Sequence, residues 1–297
     1  MKLIKSNFEI LEQEPGLDGI YKAIERAGRT CYRSQDKITE DSAKKFVDMC
    51  ISRGHTAVLE QSTVYLQIPY NRLQVTWIWD KYEYNPYSKV IHNSGRKTIA
   101  YVTTNYRVLY ENGWLDDLKY LCEPTEYHAK RVTVKFICDR GVSHELVRHR
   151  VFSFAQESTR YCNYSKDKFG NELTFISKSL GLMPGHINPG EDIMHSDYWS
   201  DCTCDGIDFD AEADLLKLEL LQKCEETYIK LILEHYHTPQ QARAILPNAL
   251  KTEVVMTGFI DDWEHFFDLR CDKASHPDMR ALAIPLKEEF IKRGYIK

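Results

Sequence analysis

Residues 148–161 read Arg-His-Arg-Val-Phe-Ser-Phe-Ala-Gln-Glu-Ser-Thr-Arg-Tyr and combine three arginines with a short apolar run. Glu157 is the only acid among them, whereas a solvated surface helix would alternate acids with these bases. Guanidinium groups are planar forks that match phosphate and carboxylate oxygens. Ser158 adds a hydroxyl group, and Gln156 adds an amide that can bind the polar edge of a ring. The stretch predicts a pocket for a planar, phosphorylated ligand; the alternative is a basic surface patch paired with acids elsewhere.

The composition is that of an ordinary globular protein. Of the 297 residues, 43% are hydrophobic and 28% are charged, so the chain can bury a sizeable core. The formal net charge of −5 argues against a general nucleic-acid-binding protein, which needs a broad basic face. There is no run of about 18 apolar residues, and the N-terminus lacks the apolar core of a signal peptide. We therefore expect a cytoplasmic protein without a membrane segment.

The nine cysteines are scattered along the chain without the spacing of a disulfide framework. An odd number of scattered cysteines is typical of reduced thiols in a cytosolic protein. Cys202-Thr-Cys204 does not have the usual spacing of a zinc site, and no second cysteine pair follows it. We therefore expect no metal site.

The spacing of apolar residues predicts the elements of the first half of the chain. Residues 1–12 alternate and predict a strand, whereas 17–29 predict a helix. Thr39 is placed to cap a second helix, and Gly54 is placed to end it. Residues 64–68 alternate again and predict a strand.

The middle of the chain has a less regular pattern. Residues 75–110 are rich in aromatic and β-branched side chains and contain turn signals, which predict strands and loops. Residues 126–147 predict a helix, because Val134 and Ile137 begin a series at helical spacing. The glycines and prolines of 165–208 predict a long loop or insertion.

The last third of the chain predicts mainly helices. The segment from Ala211 to Tyr236 has a one-sided apolar stripe that includes Leu233. Thr238-Pro-Gln-Gln241 has the residues of a capping box with proline at the first helical position. Residues 251–260 fit either a strand or a helix. Two further helices are predicted, one capped by Asp261 or Asp262 and running through Arg270, the other running from Pro277 to Gly294.

The central stretch resembles the signature of the flavin-dependent thymidylate synthases, which is Arg-His-Arg, seven residues and then Ser. Here residues 148–150 and Ser158 form it, and the match continues through Arg160-Tyr161. The resemblance extends from about Gly54 to Arg280. It implies an α/β (α+β) fold with a central mixed or antiparallel sheet and packed helices. We expect one domain over residues 1–297, with the loop-rich insertion described above.

A second motif of that family resembles Gly54-His55, which is followed by Glu60. Gln61 departs from the His that is frequent at its position, and Ala57 replaces a frequent hydroxyl residue. Read alone, a Gly-His pair is more often a helix end followed by an ordinary histidine. The resemblance places His55 and Glu60 on the flavin and folate side of the site.

The resemblance also implies roles for individual residues. The FAD-contacting residues would be His55, Glu60, Arg148, His149, Arg150 and His265. The dUMP-binding residues would be Gln156, Ser158, Arg160, Arg243 and Arg270, of which Ser158 and Arg270 are also the catalytic candidates. A single arginine on a helix is more often one that extends its charge to solvent along an apolar surface. The family often has Glu at position 156, so Gln156 would hydrogen-bond without acting as an acid.

Two side chains near the signature could act as nucleophiles. Ser158 would need an adjacent base, but its neighbours are arginines, which favour binding. Cys162 lies nearby, and the arginines are expected to lower the pKa of its thiol. The flavin-dependent family does not depend on a cysteine nucleophile, so Cys162 is interpreted as a bystander. His276 is left without an assigned role.

The implied reaction is the reductive methylation of dUMP to dTMP. Methylenetetrahydrofolate would donate the carbon, and NADPH would reduce FAD in a homotetramer that shares its active sites between subunits. No Gly-x-Gly-x-x-Gly follows a strand, so a Rossmann fingerprint would not hold the flavin. Two other hypotheses use the same arginines: a single-strand nucleic-acid-binding module with stacking aromatics, and a non-catalytic nucleotide-binding regulator.

Overall fold

The computed structural model describes residues 1–70, 75–94, 98–188 and 211–297. The described residues form an α+β fold with three small sheets and packed helices, as the sequence predicts. The strands are β1 (Lys2–Ile4), β2 (Asn7–Leu11), β3 (Val64–Pro69), β4 (Lys89–Ser94), β5 (Thr98–Thr104), β6 (Arg131–Asp139), β7 (Ser153–Gln156), β8 (Thr174–Ile176), β9 (Gly185–His186) and β10 (Lys251–Phe259). The helices are α1 (Gly16–Tyr32), α2 (Ser42–Ser52), α3 (Val75–Ile78), α4 (Tyr106–Glu111), α5 (Arg140–Leu146), α6 (Ser177–Leu180), α7 (Ala211–Leu233), α8 (Pro239–Ala242), α9 (Ile260–Arg270) and α10 (Pro277–Lys292).

The largest sheet is antiparallel and has the strand order β2-β6-β10-β7. Its longest pairing joins β6 and β10, with Lys251 opposite Asp139 and Phe259 opposite Arg131. The β10 segment, for which the sequence fits either a strand or a helix, is therefore a strand that is buried along its whole length. Burial on both faces explains the run of apolar and small residues from Val254 to Phe259, whereas the buried Lys251 and Glu253 pair with each other.

The helix predicted over 126–147 is wrong for most of its length, because residues 131–139 form β6. Val132, Val134, Phe136 and Cys138 are all buried, which is the period-2 pattern of a strand. The apparent helical spacing arose because Ile137, on the other face of the strand, was counted with them. Only α5, at the end of the predicted segment, is helical.

An aromatic core lies between one face of this sheet and helices α9 and α10. Trp263, Phe266, Phe267 and Phe290 are completely buried there, together with Phe136 of the sheet. The indole Nε1 of Trp263 donates a hydrogen bond to the carbonyl of Val132 at 3.1 Å, so its single polar group is satisfied.

A glycine lets one aromatic ring of this core lie against the sheet. A Cβ added at Gly258 of β10 would come within 2.3 Å of the Phe152 ring. Phe152 in turn packs edge-on against Trp263, with 4.7 Å between the ring centres. The aromatic core thus fixes the residue that immediately precedes β7.

Helix α1 covers the opposite face of the largest sheet. Ala27 packs with Leu11, Ala155 and Val255 in a smaller core, and Cys31 of the last helical turn lies at its edge. The helix spans the predicted segment 17–29 and is somewhat longer than predicted. Because α1 packs on β7, its C-terminal end lies beside the residues that follow Gln156.

The other two sheets complete the described fold. Strands β3, β5 and β4 form an antiparallel sheet that packs with α1 and α2. The N-terminal strand β1 pairs in parallel with β8 and antiparallel with β9. Residues 165–188 therefore contain strands and a short helix, and Phe175 is fully buried against Met1. Residues 189–208 of the predicted insertion lie outside the described residues, as do Cys202 and Cys204.

Several local predictions are confirmed. Gly54 has a left-handed φ of 69° just after α2 ends. The Gln241 side chain accepts a hydrogen bond from the Thr238 backbone N–H at 2.9 Å, as a capping box requires. The final helix begins at Pro277, and its predicted stripe, which runs from Met279 to Phe290, is buried.

Other local predictions are wrong. Asp41, not Thr39, is the N-cap residue of α2. Residues 75–110 contain helices α3 and α4 and a π-helical turn, Trp79–Glu83, as well as strands. At the end of α7, Leu233 is 59% exposed and Tyr236 is 88% exposed, because the buried stripe stops earlier. Among the described residues, no helix is long and apolar enough to cross a membrane.

Candidate functional site

Helix α5 and the turn after it present the Arg-His-Arg motif. The side chain of Asp139 caps α5 by accepting a hydrogen bond from the Val142 N–H at 2.8 Å. The chain then turns through residues 147–152 into β7. Within this turn His149 is buried, whereas its two arginine neighbours are exposed. The motif therefore offers two cations to solvent and one ring to the core.

Arg270, at the end of α9, joins this motif to the aromatic core. Its Nε donates to Nε2 of His149 at 2.8 Å, and its Nη1 donates to the carboxylate of Glu145 at 2.6 Å. Its Nη2 also donates to the backbone carbonyl of Glu145 at 3.0 Å. Arg270 therefore fixes both α5 and the imidazole ring, which lies 5.1 Å from the Phe266 ring centre. His265, which the resemblance assigns to FAD binding, is exposed on the same helix.

His149 is neutral at physiological pH. Burial first, then the positive charges of Arg270, His265 and Arg148, lower the pKa of His149 to about 4. Arginine can only donate, so Nε2 of His149 is the acceptor and the ring proton resides on Nδ1. His149 is therefore a fixed neutral ring, unlike the three arginines of the stretch.

This burial predicts a pH dependence of stability. Below the ordinary histidine pKa of 6.5 the unfolded chain binds a proton at His149, but the folded chain does not until about pH 4. The free energy of unfolding should therefore fall as the pH falls through that window, by up to about 1.4 kcal/mol per pH unit. Urea unfolding at several pH values measures it. The His149→Gln variant should lose this part of the dependence; an unchanged slope would contradict the assignment.

A cavity of about 320 Å³ lies between α1, α2 and β7. It is mainly apolar, and its walls include Tyr32, Phe46, His55, Gln156 and Tyr161. The rings of Tyr32 and Tyr161 lie 5.2 Å apart at one side. The structure thus brings together two predicted site residues, His55 and Gln156, that lie far apart in the sequence. An apolar cavity with a few polar groups is the usual form of a site for a planar ligand.

The orientation of the Gln156 amide follows from its neighbours. The Ser143 hydroxyl donates to the Arg140 carbonyl at 2.8 Å, so its oxygen accepts from Nε2 of Gln156 at 2.9 Å. Thr252 lies 3.3 Å from the same nitrogen. The side-chain carbonyl oxygen of Gln156 has no hydrogen-bond partner among the described residues. It can accept a hydrogen bond from the N–H of a ligand ring.

Arg160 and Arg243 lie near each other on an exposed rim beyond Ser158. Nε of Arg160 donates to the Gln240 side chain at 3.1 Å, and Nη1 of Arg243 lies 3.4 Å from the Thr159 hydroxyl. These contacts orient both guanidinium groups with neutral partners. Neither partner compensates the positive charge.

Whether the arginines have acidic partners distinguishes the two hypotheses for this stretch, a pocket for a phosphorylated ligand and a paired basic surface patch. Among the described residues, no carboxylate forms an ion pair with Arg148, Arg150, Arg160 or Arg243. Arg270 is the exception, because it pairs with Glu145. The described residues thus do not provide the acids that a paired surface patch requires, and the four unpaired cations are suited to an anionic ligand.

Glu60 faces a different part of the molecule. It forms an ion pair with Arg107 and lines a separate cavity of about 310 Å³. His276, which had no predicted role, caps α10 by accepting a hydrogen bond from the Asp278 N–H at 3.3 Å. Within the described chain, Glu60 therefore does not meet His55 in one cavity.

A larger cavity, about 640 Å³, lies elsewhere, beside the loop of residues 12–16 and the segment 121–126. Its lining contains four glutamates, and it contains none of the predicted site residues. Arg131 reaches it, but its guanidinium is used to bind the carbonyls of Ser62 and Glu60. Its size alone therefore does not make it the better candidate for an anionic ligand.

Neither candidate nucleophile is activated. Burial raises the pKa of the Cys162 thiol to about 12, so the expected lowering by nearby arginines is wrong. The Ser158 hydroxyl accepts a hydrogen bond from the Arg160 N–H at 3.3 Å. No described side chain is placed to remove its proton. Both observations favour binding over covalent catalysis for this segment.

Sequence reasoning missed the residues that support the site. In α5, only a few residues before the signature, the Glu145 side chain binds Arg270 and the Ser143 hydroxyl binds Gln156. Tyr32 forms part of the cavity wall, but it lies far along the chain from its partner Tyr161. The proximity of Glu145 to the motif was a usable signal, whereas nothing in the sequence indicates the place of Tyr32.

Comparison with known proteins assigns the chain to a family. The family model described as thymidylate synthase complementing protein matches residues 124–293, which is more than half of the chain. Proteins named flavin-dependent thymidylate synthase from Mycobacterium tuberculosis and Corynebacterium aurimucosum are 32% and 31% identical, over 49% of this chain and 51% of each of theirs. The protein of that name from Geobacter sulfurreducens is 27% identical over 50% of each chain.

The chain thus spans about half the length of the curated relatives it matches. The matched family segment includes the signature turn, β7, β10 and α9, and therefore nearly all of the side chains described above. His55 and Glu60 lie outside it. The chain belongs to the thymidylate synthase complementing proteins, the family of the flavin-dependent thymidylate synthases.

Proposed function

We propose that this protein is a flavin-dependent thymidylate synthase that methylates dUMP to dTMP. In this proposal methylenetetrahydrofolate donates the carbon, and NADPH supplies the electrons through FAD. The observation that carries it is the combination of a mainly apolar cavity beside Gln156 with arginines that lack acidic partners among the described residues. A nucleotide needs both features, because it joins a planar base to a phosphate.

The nucleotide would bind along β7 and the residues that follow it. A uracil ring presents an N–H that can donate a hydrogen bond to the free side-chain oxygen of Gln156. This oxygen would take the place of a glutamate oxygen at the same position. The phosphate would lie beyond it, where Ser158, Arg160 and Arg243 offer a hydroxyl and two guanidinium groups. Several charge-assisted hydrogen bonds are needed to replace the water around a dianionic phosphate.

The residues present also fit a flavin nucleotide. Arg148 and Arg150 are exposed, have no acidic partner among the described residues and match the two phosphates of FAD in chemistry. His55, at the cavity, and His265, on α9, supply further polar contacts. When bound, FAD would supply the reducing equivalents for the methylation. The role of the protein side chains is to hold and orient both nucleotides and to polarise the uracil.

A homotetramer with shared active sites is part of the proposal. Within one described chain, the arginines of the signature do not line the cavity that contains His55 and Gln156, and Glu60 lines another. Sites built between subunits would allow these groups to act together. The roles of Glu60 and His265 depend on this arrangement. Sedimentation of the purified protein tests it: a stable monomer with full activity would contradict shared sites.

The role of Arg243 gives a specific test. We expect Arg243→Ala to weaken dUMP binding by about 10- to 100-fold, because one charge-assisted contact to phosphate is lost. FAD retention should change little, since Arg243 contacts Thr159 of the proposed dUMP segment. Calorimetric titration with dUMP and the absorbance of the bound flavin measure the two effects.

A matched control is Arg293→Ala, which removes an arginine that already pairs with Glu289 and Glu12. This variant should bind dUMP as the wild type does. Equal loss of dUMP and FAD in Arg243→Ala would mean that the assigned role is wrong. A protein that binds dUMP normally but never forms dTMP would instead support the non-catalytic regulator.

A further inference from the structure

A buried ionic cluster lies directly behind the proposed nucleotide-binding segment. We call it the Glu157 cluster; it consists of Glu157, Lys251, Glu253, Tyr164 and Arg33. The first three side chains belong to residues that are 1%, 5% and 9% exposed. Nζ of Lys251 lies 2.9 Å from Glu157 and 2.5 Å from Glu253, and the Tyr164 hydroxyl donates to Glu157 at 3.0 Å. Both carboxylate oxygens of Glu157 are therefore occupied.

The fifth member reaches the cluster through an unusual backbone conformation. Arg33, which follows α1, has a φ of 44°, in the left-handed region that residues other than glycine seldom adopt. This turn directs its guanidinium to within 3.9 Å of Glu157 and 5.1 Å from the centre of the Phe169 ring. Two cations thus face two carboxylates, and the cluster has no net charge. Such a conformation is maintained only where surrounding contacts require it.

Burying such charges is a poor way to gain stability. Removing ions from water has a high energetic cost, and apolar side chains of similar volume often stabilise the fold as well or better. Burial itself raises the pKa of Glu253, but the ammonium of Lys251 outweighs it and leaves that pKa below the ordinary value. Glu253 is therefore ionised. The cost of the cluster points to a role in fixing the local structure.

The backbone shows what the cluster fixes. The N–H of Glu157 donates to the Glu253 carbonyl at 2.8 Å, one residue beyond the end of β7. The next N–H, of Ser158, donates to the Cys31 carbonyl at 3.0 Å, at the end of α1. Glu157 is thus the point at which the chain passes from the sheet to the helix end. Its side chain points into the cluster.

In extended backbone, neighbouring side chains point in opposite directions. With Glu157 anchored in the cluster, the Gln156 side chain is directed to the other side, where it lines the cavity. Ser158 follows directly, and its backbone is held by the Cys31 carbonyl. A rotation or shift of this segment would displace both proposed nucleotide contacts together. The side chains of Lys251, Tyr164 and Arg33 therefore converge on Glu157, the single residue between these two contacts.

We propose that Glu157 and Lys251 are positioning residues, which hold the Gln156–Ser158 segment in the conformation that binds the nucleotide. The inference rests on the proposed function, because it takes dUMP as the ligand of this segment. The cluster itself does not touch the nucleotide. Its effect is exerted through the backbone of Glu157 and the directions of the two adjacent side chains.

The test compares two variants of the FAD-loaded protein. Glu157→Gln removes the charge but keeps the shape, and it should weaken dUMP binding by about 10-fold or more, as expected for the loss of charged hydrogen bonds. Tyr164→Phe removes one hydroxyl group without changing the ring, and it should weaken binding by about 3-fold. Calorimetric titration with dUMP gives the dissociation constants. Deuterium exchange of the Ser158 amide should be faster in both variants.

The control is Glu225→Gln in α7, which alters a carboxylate that is 3% exposed and accepts a hydrogen bond from the Leu173 N–H at 2.6 Å. It should lower the melting temperature while dUMP binding and Ser158 exchange stay unchanged. If Glu157→Gln lowers the melting temperature but binds dUMP like the wild type, the positioning role is wrong. Should Glu157→Gln fail to fold, Tyr164→Phe decides in the same way. If the wild-type protein does not bind dUMP, the proposed function fails as well.

Discussion

We expect Arg270→Ala to lower the rate of dTMP formation by about 100-fold or more, because the resemblance implies that Arg270 contacts dUMP and because it anchors the signature turn. In the folded protein this arginine contacts both His149 and Glu145. Its removal leaves the imidazole acceptor without a donor and the carboxylate without a cation, so α5 and the signature turn lose their common anchor. A steady-state assay of dTMP formation measures the loss.

The control for this prediction is Arg270→Lys, which keeps the charge but cannot contact His149 and both Glu145 acceptors with one planar fork. We expect an intermediate loss of activity from it. A further control is the melting temperature, which shows whether the alanine variant remains folded. If folded Arg270→Ala retained activity within about threefold of the wild type, the proposed role of this residue would be refuted.

The second large effect is on stability. Trp263→Ala should lower the free energy of unfolding by about 3–5 kcal/mol, as truncation of a buried aromatic side chain usually does. Trp263 is fully buried and lies within 4.7 Å of Phe152 and 5.3 Å of Phe290, measured between ring centres. Its loss leaves a cavity between the largest sheet and α10. Urea unfolding followed by circular dichroism measures the change.

Trp79→Ala serves as the matched control, because this tryptophan is 39% exposed in the π-helical turn. Its replacement should change the free energy of unfolding by less than about 0.5 kcal/mol. Similar losses for the two variants would mean that the aromatic core does not dominate stability. Because Phe152 leads into β7, the Trp263 variant should also loosen the proposed nucleotide segment.

The sequence correctly predicts helices whose ends carry strong boundary signals. It gives the wrong element where the apolar residues fit both a helical and a strand periodicity. Gly54 and the Thr238 capping box end and begin helices as predicted, because their backbone chemistry is local. The β6 segment was misassigned, because its buried residues alternate but one apolar residue on the other face completes a helical pattern. Sheet pairing, a long-range interaction, decided between the two.

In the candidate site, too, local chemistry is predictable from the sequence and long-range contacts are not. The signature identifies Gln156 and the arginines by their chemistry alone. It cannot show that Arg270 contacts His149, 121 residues away in the chain, because this depends on how β6 and β10 pair. Nor can it show that Cys162 is buried, which reverses the expected direction of its pKa shift. Burial and long-range contacts are properties of the packed structure.

The most direct test of the proposed function is the visible absorption of the purified protein, recorded without air before and after addition of NADPH and dUMP. The proposal predicts that the protein carries or takes up FAD, that the flavin absorption bleaches, and that dTMP forms when methylenetetrahydrofolate is added. A colourless protein that takes up added FAD and then bleaches would give the same support. A folded protein that neither carries nor binds FAD would contradict the proposal and favour a nucleotide-binding module without redox chemistry.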